Sequence, residues 1–139
     1  MLEDTKGEVR PGLGGSAERV LVVDDEVAIG MLVRRALERA GMSVEVAHNG
    51  REALELFGVR RYDVVLCDLR LPDVSGQELH AHIQRAAPDT ARRMVFLTGD
   101  ATSPEAVQFL ARSGCRYISK PFDLRGLVGV VREVASRES

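Results

Sequence analysis

Short apolar runs alternate with amphipathic segments along most of this sequence, and this alternation limits the possible folds more than any other feature. Residues 20–23, 64–67 and 94–97 are wholly apolar, which is typical of strands buried on both faces of a parallel sheet. Weaker strand patterns occur at 43–47 and 117–118. Because a helical pattern follows each of the five, the sequence predicts an α/β domain with a parallel sheet and helices on both faces.

Two of the predicted helices have recognisable start signals. Ser75 and Glu78 have the spacing of a capping box, and they predict a helix over 75–87. Thr102 and Glu105 repeat the same spacing before the next apolar stripe. We therefore expect both helices to begin at these hydroxyl side chains.

Composition and the chain termini set the broad class of protein. Residues 1–18 mix charges with glycines and a proline and have no apolar period, so we expect a flexible tail or linker there and a domain over 19–137. A hydrophobic content of 45% and a net charge of -2 are those of a globular protein with no global attraction to nucleic acid or membranes.

No stretch resembles a signal peptide or a membrane span, so a cytoplasmic location without membrane contact is expected. Cys67 and Cys115 lack metal-ligand spacing.

Polar residues stand at the carboxyl ends of four of the five predicted strands. Asp24 and Asp25 follow the first strand, Asp68 the third, Thr98 the fourth and Lys120 the fifth. Each has an ordinary alternative explanation; the first two, for example, could simply cap the following helix. However, the ligand crevice of an open parallel sheet lies outside the carboxyl ends of its strands. We therefore expect all five side chains to share one site.

The residue types at this edge suit phosphoryl transfer. Three carboxylates repel one another unless a cation intervenes, and such hard oxygen ligands are those that Mg²⁺ prefers. The ammonium group of Lys120 and the hydroxyl of Thr98 could stabilise the charge of a phosphoryl group in transfer. Asp68 could then act as the nucleophile and become an aspartyl-phosphate.

With these residues identified, the sequence resembles the receiver domain of bacterial two-component signalling over about residues 19–133. The resemblance rests on four motifs: Val-Asp24-Asp25-Glu, Asp68-Leu-Arg-Leu-Pro-Asp-Val-Ser-Gly, Leu-Thr98-Gly and Tyr117-Ile-Ser-Lys120-Pro121-Phe. It implies a flavodoxin-like, doubly wound five-stranded parallel sheet with strand order 2-1-3-4-5. It also implies a cis peptide bond before Pro121.

The resemblance further implies roles for individual residues. Asp68 would receive a phosphoryl group from the phosphohistidine of a histidine kinase or a histidine phosphotransfer protein. Asp24, Asp25 and Asp68, with the backbone carbonyl of Arg70, would hold Mg²⁺, and no other cofactor is expected. Lys120 would contact the phosphoryl group. The domain would catalyse only its own phosphorylation and dephosphorylation.

A conformational switch is implied as well. Thr98 would move to bond the phosphoryl group, and Tyr117 would change rotamer in concert. A downstream effector would bind the face formed by the helix after the fourth strand, the last strand and the last helix, without direct contact with nucleic acid. The sequence ends at Ser139, so no output domain is expected after the last helix. The Leu-Thr-Gly-Asp and Lys-Pro-Phe-Asp-Leu segments are most similar to receivers of hybrid sensor kinases.

Other interpretations fit the residues less well. A degenerate receiver that serves only as an interaction module should lack one of the acids or Lys120. An aspartate-nucleophile phosphatase of the haloacid-dehalogenase type needs a second Asp where Arg70 stands. A stand-alone regulator, a fragment of a hybrid kinase and a phosphorelay intermediate all remain open. Arg70 and Asp100 each follow an active-site residue by two positions. They could pair at the mouth of the pocket and prolong the phosphorylated state, or both charges could simply be solvated.

Overall fold

A five-stranded parallel sheet forms the centre of the computed structural model, which describes residues 18–136. The strands are β1 (Arg19–Val23), β2 (Ser43–Ala47), β3 (Val64–Asp68), β4 (Met94–Thr98) and β5 (Arg116–Ser119). Their order is β2-β1-β3-β4-β5, and every neighbouring pair is parallel. The predicted flavodoxin-like strand order is therefore confirmed.

Helices cover both faces of the sheet. They are α1 (Val27–Arg39), α2 (Gly50–Val59), α3 (Gly76–Ala86), α4 (Pro88–Arg92), α5 (Pro104–Ser113) and α6 (Leu124–Ala135). The sequence pattern did not predict α4. Pro88 cannot continue the hydrogen-bond ladder of α3, but its fixed φ suits the first turn of a new helix. As a result, the helix after β4 is α5 and the last helix is α6.

Alternate residues of the central strands supply two separate apolar layers. On one side α1 and α6 pack against residues such as Val22 and Leu66. On the other side α2, α3 and α5 pack against residues such as Val65 and Phe96. All five residues of β3 and of β4 are buried, as their apolar runs predict. The central strands are therefore packed on both faces, and their carboxyl ends form one edge of the sheet.

The two predicted helix starts have different outcomes. The Ser75 hydroxyl accepts a hydrogen bond from the Glu78 N–H at 3.1 Å, and the Glu78 carboxylate accepts one from the Ser75 N–H at 3.0 Å, so the capping box is confirmed. The predicted cap at Thr102 is wrong by one residue, because Ser103 is the N-cap of α5. Thr102 is instead held by the carboxylate of Asp100.

Several smaller predictions can be checked against the described residues. The Lys120–Pro121 bond is cis, and Cys67 and Cys115 are both buried free thiols. Within residues 18–136, no helix is both long and apolar enough to cross a membrane. The tail predicted over 1–18 lies outside the described residues except for its last residue.

Candidate functional site

The parallel register brings the four polar strand ends to one edge of the sheet. Val23 of β1 is paired with Cys67 of β3. Asp24 and Asp68 are the next residues of these two strands, so they lie side by side. Thr98 is paired with Ser119 at the ends of β4 and β5, which places Lys120 directly after that pair. The predicted convergence is therefore present.

Lys120 is the centre of the site. Its Nζ lies 2.8 Å from Oδ2 of Asp68, 3.1 Å from Oε1 of Glu26 and 3.3 Å from Oδ2 of Asp24. Partial burial alone would lower the pKa of this ammonium group, but the carboxylates of Asp68, Glu26 and Asp24 together raise it above its usual value. Lys120 therefore stays charged and neutralises part of the acidic cluster. Glu26 was not assigned a role from the sequence.

Asp24 is fully buried and does not cap α1. Its Oδ1 accepts a hydrogen bond from the N–H of Glu26 at 2.9 Å, while α1 has no side-chain cap at all. Burial is the largest influence on this carboxyl and raises its pKa, against the lowering effects of the Glu26 N–H and Lys120. The ordinary capping explanation therefore fails for Asp24, which lies inside the site.

Three carboxylates form a compact oxygen cluster. Asp24, Asp25 and Asp68 each contribute one oxygen, and these oxygens all lie within 4.8 Å of one another. Asp24 and Asp68 are buried and Asp25 is exposed, so one side of the cluster is open to solvent. Such a donor set, with room for water or phosphate oxygens, fits Mg²⁺. The N–H of Arg70 donates to Oδ1 of Asp68 at 2.9 Å.

Thr98 and Asp100 are bonded to each other and not to the acidic cluster. The buried Thr98 hydroxyl oxygen accepts a hydrogen bond from the Asp100 N–H at 3.1 Å. The Asp100 carboxylate accepts bonds from the Thr102 hydroxyl and N–H, which hold its pKa below the usual range. Across residues 18–136 Asp100 forms no salt bridge with Arg70. A direct ion pair between them is therefore not formed in this conformation, although the Arg70 charge helps to lower the pKa of Asp100, and the effect of the two charges on the phosphorylated state stays a prediction.

Tyr117 lies on β5 at the surface of the domain. Its side chain is about half exposed and lines a cavity of about 250 Å³ together with Val107 and Leu110 of α5. Tyr117 is two positions from the strand end that pairs with Thr98. The two residues proposed for the switch thus lie on adjacent strands, one inside the site and one at the surface.

Asp73 has a structural role that the sequence interpretation missed. Its Oδ1 accepts hydrogen bonds from the N–H groups of Gly50 at 2.8 Å and Val74 at 2.7 Å, and its Oδ2 accepts one from Arg51 at 2.9 Å. These backbone donors lower the pKa of Asp73. A Cβ on Gly50 would lie only 2.6 Å from Cβ of Val74. The loop after Asp68 is therefore clamped onto the start of α2, a long-range contact that no local pattern indicates.

Fold and site together define a class of protein, the phosphoacceptor receivers of two-component signal transduction. Residues 20–132 match the family model of the response regulator receiver domain, and the chain belongs to this family. Neither a phosphatase nor a pure interaction module is favoured.

Two of the curated relatives are regulators of transcription by name. The chain is 39% identical over 125 residues to the transcriptional regulatory protein TrcR of Mycobacterium tuberculosis, which covers 90% of this chain and 48% of that protein. It is 36% identical over 121 residues to the transcriptional regulatory protein CutR of Streptomyces coelicolor, with 87% and 55% covered. The chain thus spans about half the length of these relatives. Their names do not support the expected absence of nucleic acid among the partners.

Solved structures agree with the fold. A response regulator receiver domain of Methanospirillum hungatei superposes with a TM-score of 0.80 at 31% identity, covering 86% of this chain and 94% of that one. The chemotaxis response regulator CheY4 of Vibrio cholerae gives a TM-score of 0.76 at 31% identity, with 86% and 99% covered. The particular similarity to receivers of hybrid kinases stays a prediction.

Proposed function

We propose that Asp68 is the phosphoacceptor of this receiver. The observation that carries the proposal is the position of its carboxylate, which lies at the buried end of the central strand β3, 2.8 Å from Nζ of Lys120. The same carboxylate belongs to the oxygen cluster with Asp24 and Asp25. A nucleophile, a fixed cation and a metal-binding set are thus held together before a phosphoryl donor arrives.

In the proposed reaction, a carboxylate oxygen of Asp68 attacks the phosphorus of a phosphohistidine on a histidine kinase or a histidine phosphotransfer protein. The new P–O bond forms as the P–N bond breaks, and the donor imidazole keeps the electron pair and takes a proton from water. Lys120 would move from the carboxylates to an oxygen of the transferred group, where its fixed charge opposes the added negative charge. No separate substrate is turned over.

Asp24, Asp25 and Asp68 would hold Mg²⁺, with the backbone carbonyl of Arg70 as a further ligand. When bound, this metal supplies positive charge for the phosphoryl oxygens. The residues of the chain prepare the site: Lys120 reduces the repulsion between the acids, and the Glu26 N–H fixes the orientation of Asp24.

A switch would carry the signal to the surface. The Thr98 hydroxyl would leave the Asp100 N–H and donate to the phosphoryl group, and Tyr117 would turn inward beside α5. The effector would then read the face formed by α5, β5 and α6. Following the names of the relatives given above, we propose that this output acts in transcriptional control. We also propose a cytoplasmic location for the receiver.

The test is labelling with acetyl phosphate as a small phosphoryl donor in the presence of Mg²⁺. The wild-type chain should acquire an acid-stable, base-labile phosphoryl group, and Asp68→Asn should acquire none. Asp89→Asn is a matched control, because Asp89 is an exposed acid of α4 outside the cluster. Full labelling of Asp68→Asn on another aspartate would reject Asp68 as the acceptor.

A further inference from the structure

A second cavity lies between α3, α4 and α5. It has a volume of about 390 Å³, within the range of small-molecule sites. Its lining comprises side chains of all three helices, among them Gln77, His80, Ala81, Phe109 and Arg112. None of these residues takes part in the phosphoacceptor site.

His80 is an unexplained polar group in this cavity. Its side chain is 8% exposed, and its ring packs against those of Phe96 and Phe109 with centroids 6.1 and 5.5 Å away. Within residues 18–136 no hydrogen bond to either ring nitrogen is formed. Because buried polar groups are nearly always hydrogen-bonded to protein or water, the ring nitrogens of His80 are available to a molecule that enters this cavity.

The charge of the lining indicates which ligand fits. Arg92 and Arg112 are its ionisable residues besides His80, and no carboxylate lines the cavity. Arg92 is already paired with Asp89 on α4. The guanidinium of Arg112 lies over the Phe109 ring at 5.9 Å from the centroid, and in the part of the chain that the structure describes it has no carboxylate partner. An anion at the mouth would find this cation available.

The apolar part of the lining completes the site. Ala81 of α3 and Phe109 of α5 face the same space, so a flat ring could lie between the two helices. We propose that this cavity binds a small aromatic carboxylate, with the carboxylate at Arg112, the ring between Ala81 and Phe109, and a polar atom within reach of His80.

The probe for this proposal is 2-naphthoate, added to the metal-free 139-residue chain and followed by backbone amide shifts. The shifts should saturate and cluster on the three helices around the cavity. The same-shaped neutral compound 2-naphthamide and acetate, which lacks the ring, should both bind more weakly. Since the assay contains neither phosphoryl donor nor Mg²⁺, its result is independent of the role of Asp68.

Variants distinguish binding in the cavity from a nonspecific effect of removing a positive charge. Arg112→Gln should weaken 2-naphthoate binding about fivefold, the upper end for an exposed ionic contact, whereas Arg85→Gln, the same change on α3 outside the lining, should not. Ala81→Leu should block the ring while the thermal midpoint stays near that of the wild type. Shifts that do not saturate, or equal affinity in wild type and Arg112→Gln, would overturn the proposal.

Discussion

Lys120 holds together carboxylates that would otherwise destabilise the carboxyl edge of the sheet. Asp24 and Asp68 are both buried, and burial without a cation makes charged carboxylates costly. The ammonium group contacts both of them. The site therefore holds its acids close together before any metal or phosphoryl group binds.

Asp25 allows a clean test of the metal assignment, because it is the exposed member of the cluster. Asp25→Ala should lower Mg²⁺ affinity by at least about tenfold, since one of three carboxylate ligands is lost. Isothermal titration calorimetry measures this directly. Asp89→Ala removes an exposed acid outside the site and should bind Mg²⁺ like the wild type. Unchanged affinity in Asp25→Ala would argue against the metal site.

His80 should make stability depend on pH. Burial lowers the pKa of its imidazole, because the charged form loses solvation there. In the unfolded chain the pKa of a histidine is about 6.5. His80 therefore binds a proton at a higher pH in the unfolded chain than in the folded one. The free energy of unfolding should fall as pH decreases below about 6.5.

Denaturant unfolding between pH 5 and 8 is the measurement for this prediction. His80→Phe keeps a ring against Phe96 and Phe109 and should reduce the fall in stability. His82→Phe, which changes an exposed histidine of the same helix, should keep it. If His80→Phe and the wild type lose the same stability over this range, the buried imidazole does not cause the dependence.

At the scale of elements, the loop after β3 and the start of α2 form one unit through Asp73. Three backbone N–H groups donate to this carboxylate, two of them at the start of α2. Asn49, the N-cap of α2, adds a bond from the N–H of Glu52. The orientation of the loop that carries the phosphoacceptor motif is therefore fixed by a helix 20 or more residues earlier in the chain.

Asp73→Ala should loosen this junction without changing the acidic cluster. Hydrogen exchange at the Gly50 and Arg51 amides should accelerate by about tenfold, the effect of losing one charge-assisted hydrogen bond. Exchange at the Glu78 amide, which is held by Ser75, serves as an internal control and should stay slow. Equal exchange at Gly50 in variant and wild type would show that the clamp does not stabilise α2.

At the scale of the whole molecule, phosphorylation at the carboxyl edge of the sheet should change the structure of the surface formed by α5, β5 and α6. Thr98 and Tyr117 lie on the adjacent strands β4 and β5, and a cavity lies between Tyr117 and α5. Bistable side chains of this kind can convert a local charge change into a surface change. Beryllofluoride, a mimic of the phosphoryl group, should therefore shift amides of α5, β5 and α6 in addition to those beside the acidic cluster.

The Tyr117→Ala variant is the control for this prediction. It should still bind beryllofluoride at the acidic cluster, but the shifts on α5 and β5 should shrink because the moving side chain is missing. Amide spectra with and without beryllofluoride give the result. Shifts confined to α1 and α2 would place the readout on another face.

Much of the fold was predictable because it depends on local patterns. The apolar runs determined β1, β3 and β4, and the polar residues at their ends indicated one shared site, since parallel strands place their carboxyl ends at the same edge. The errors are also local: the start of α5 moved by one residue to Ser103, and Pro88 began a helix of its own.

Tertiary structure alone decided which side chains meet. The sequence placed Lys120 at the right edge but could not reveal its contact with Glu26, nor the clamp between Asp73 and α2, because both join residues distant in the chain. It placed His80 on a helix but could not show that packing against two phenylalanine rings would bury it beside a cavity. Residue type and spacing determined the chemistry available at the sheet edge, whereas burial and distance, which depend on how the elements pack, decided which partner each charge has.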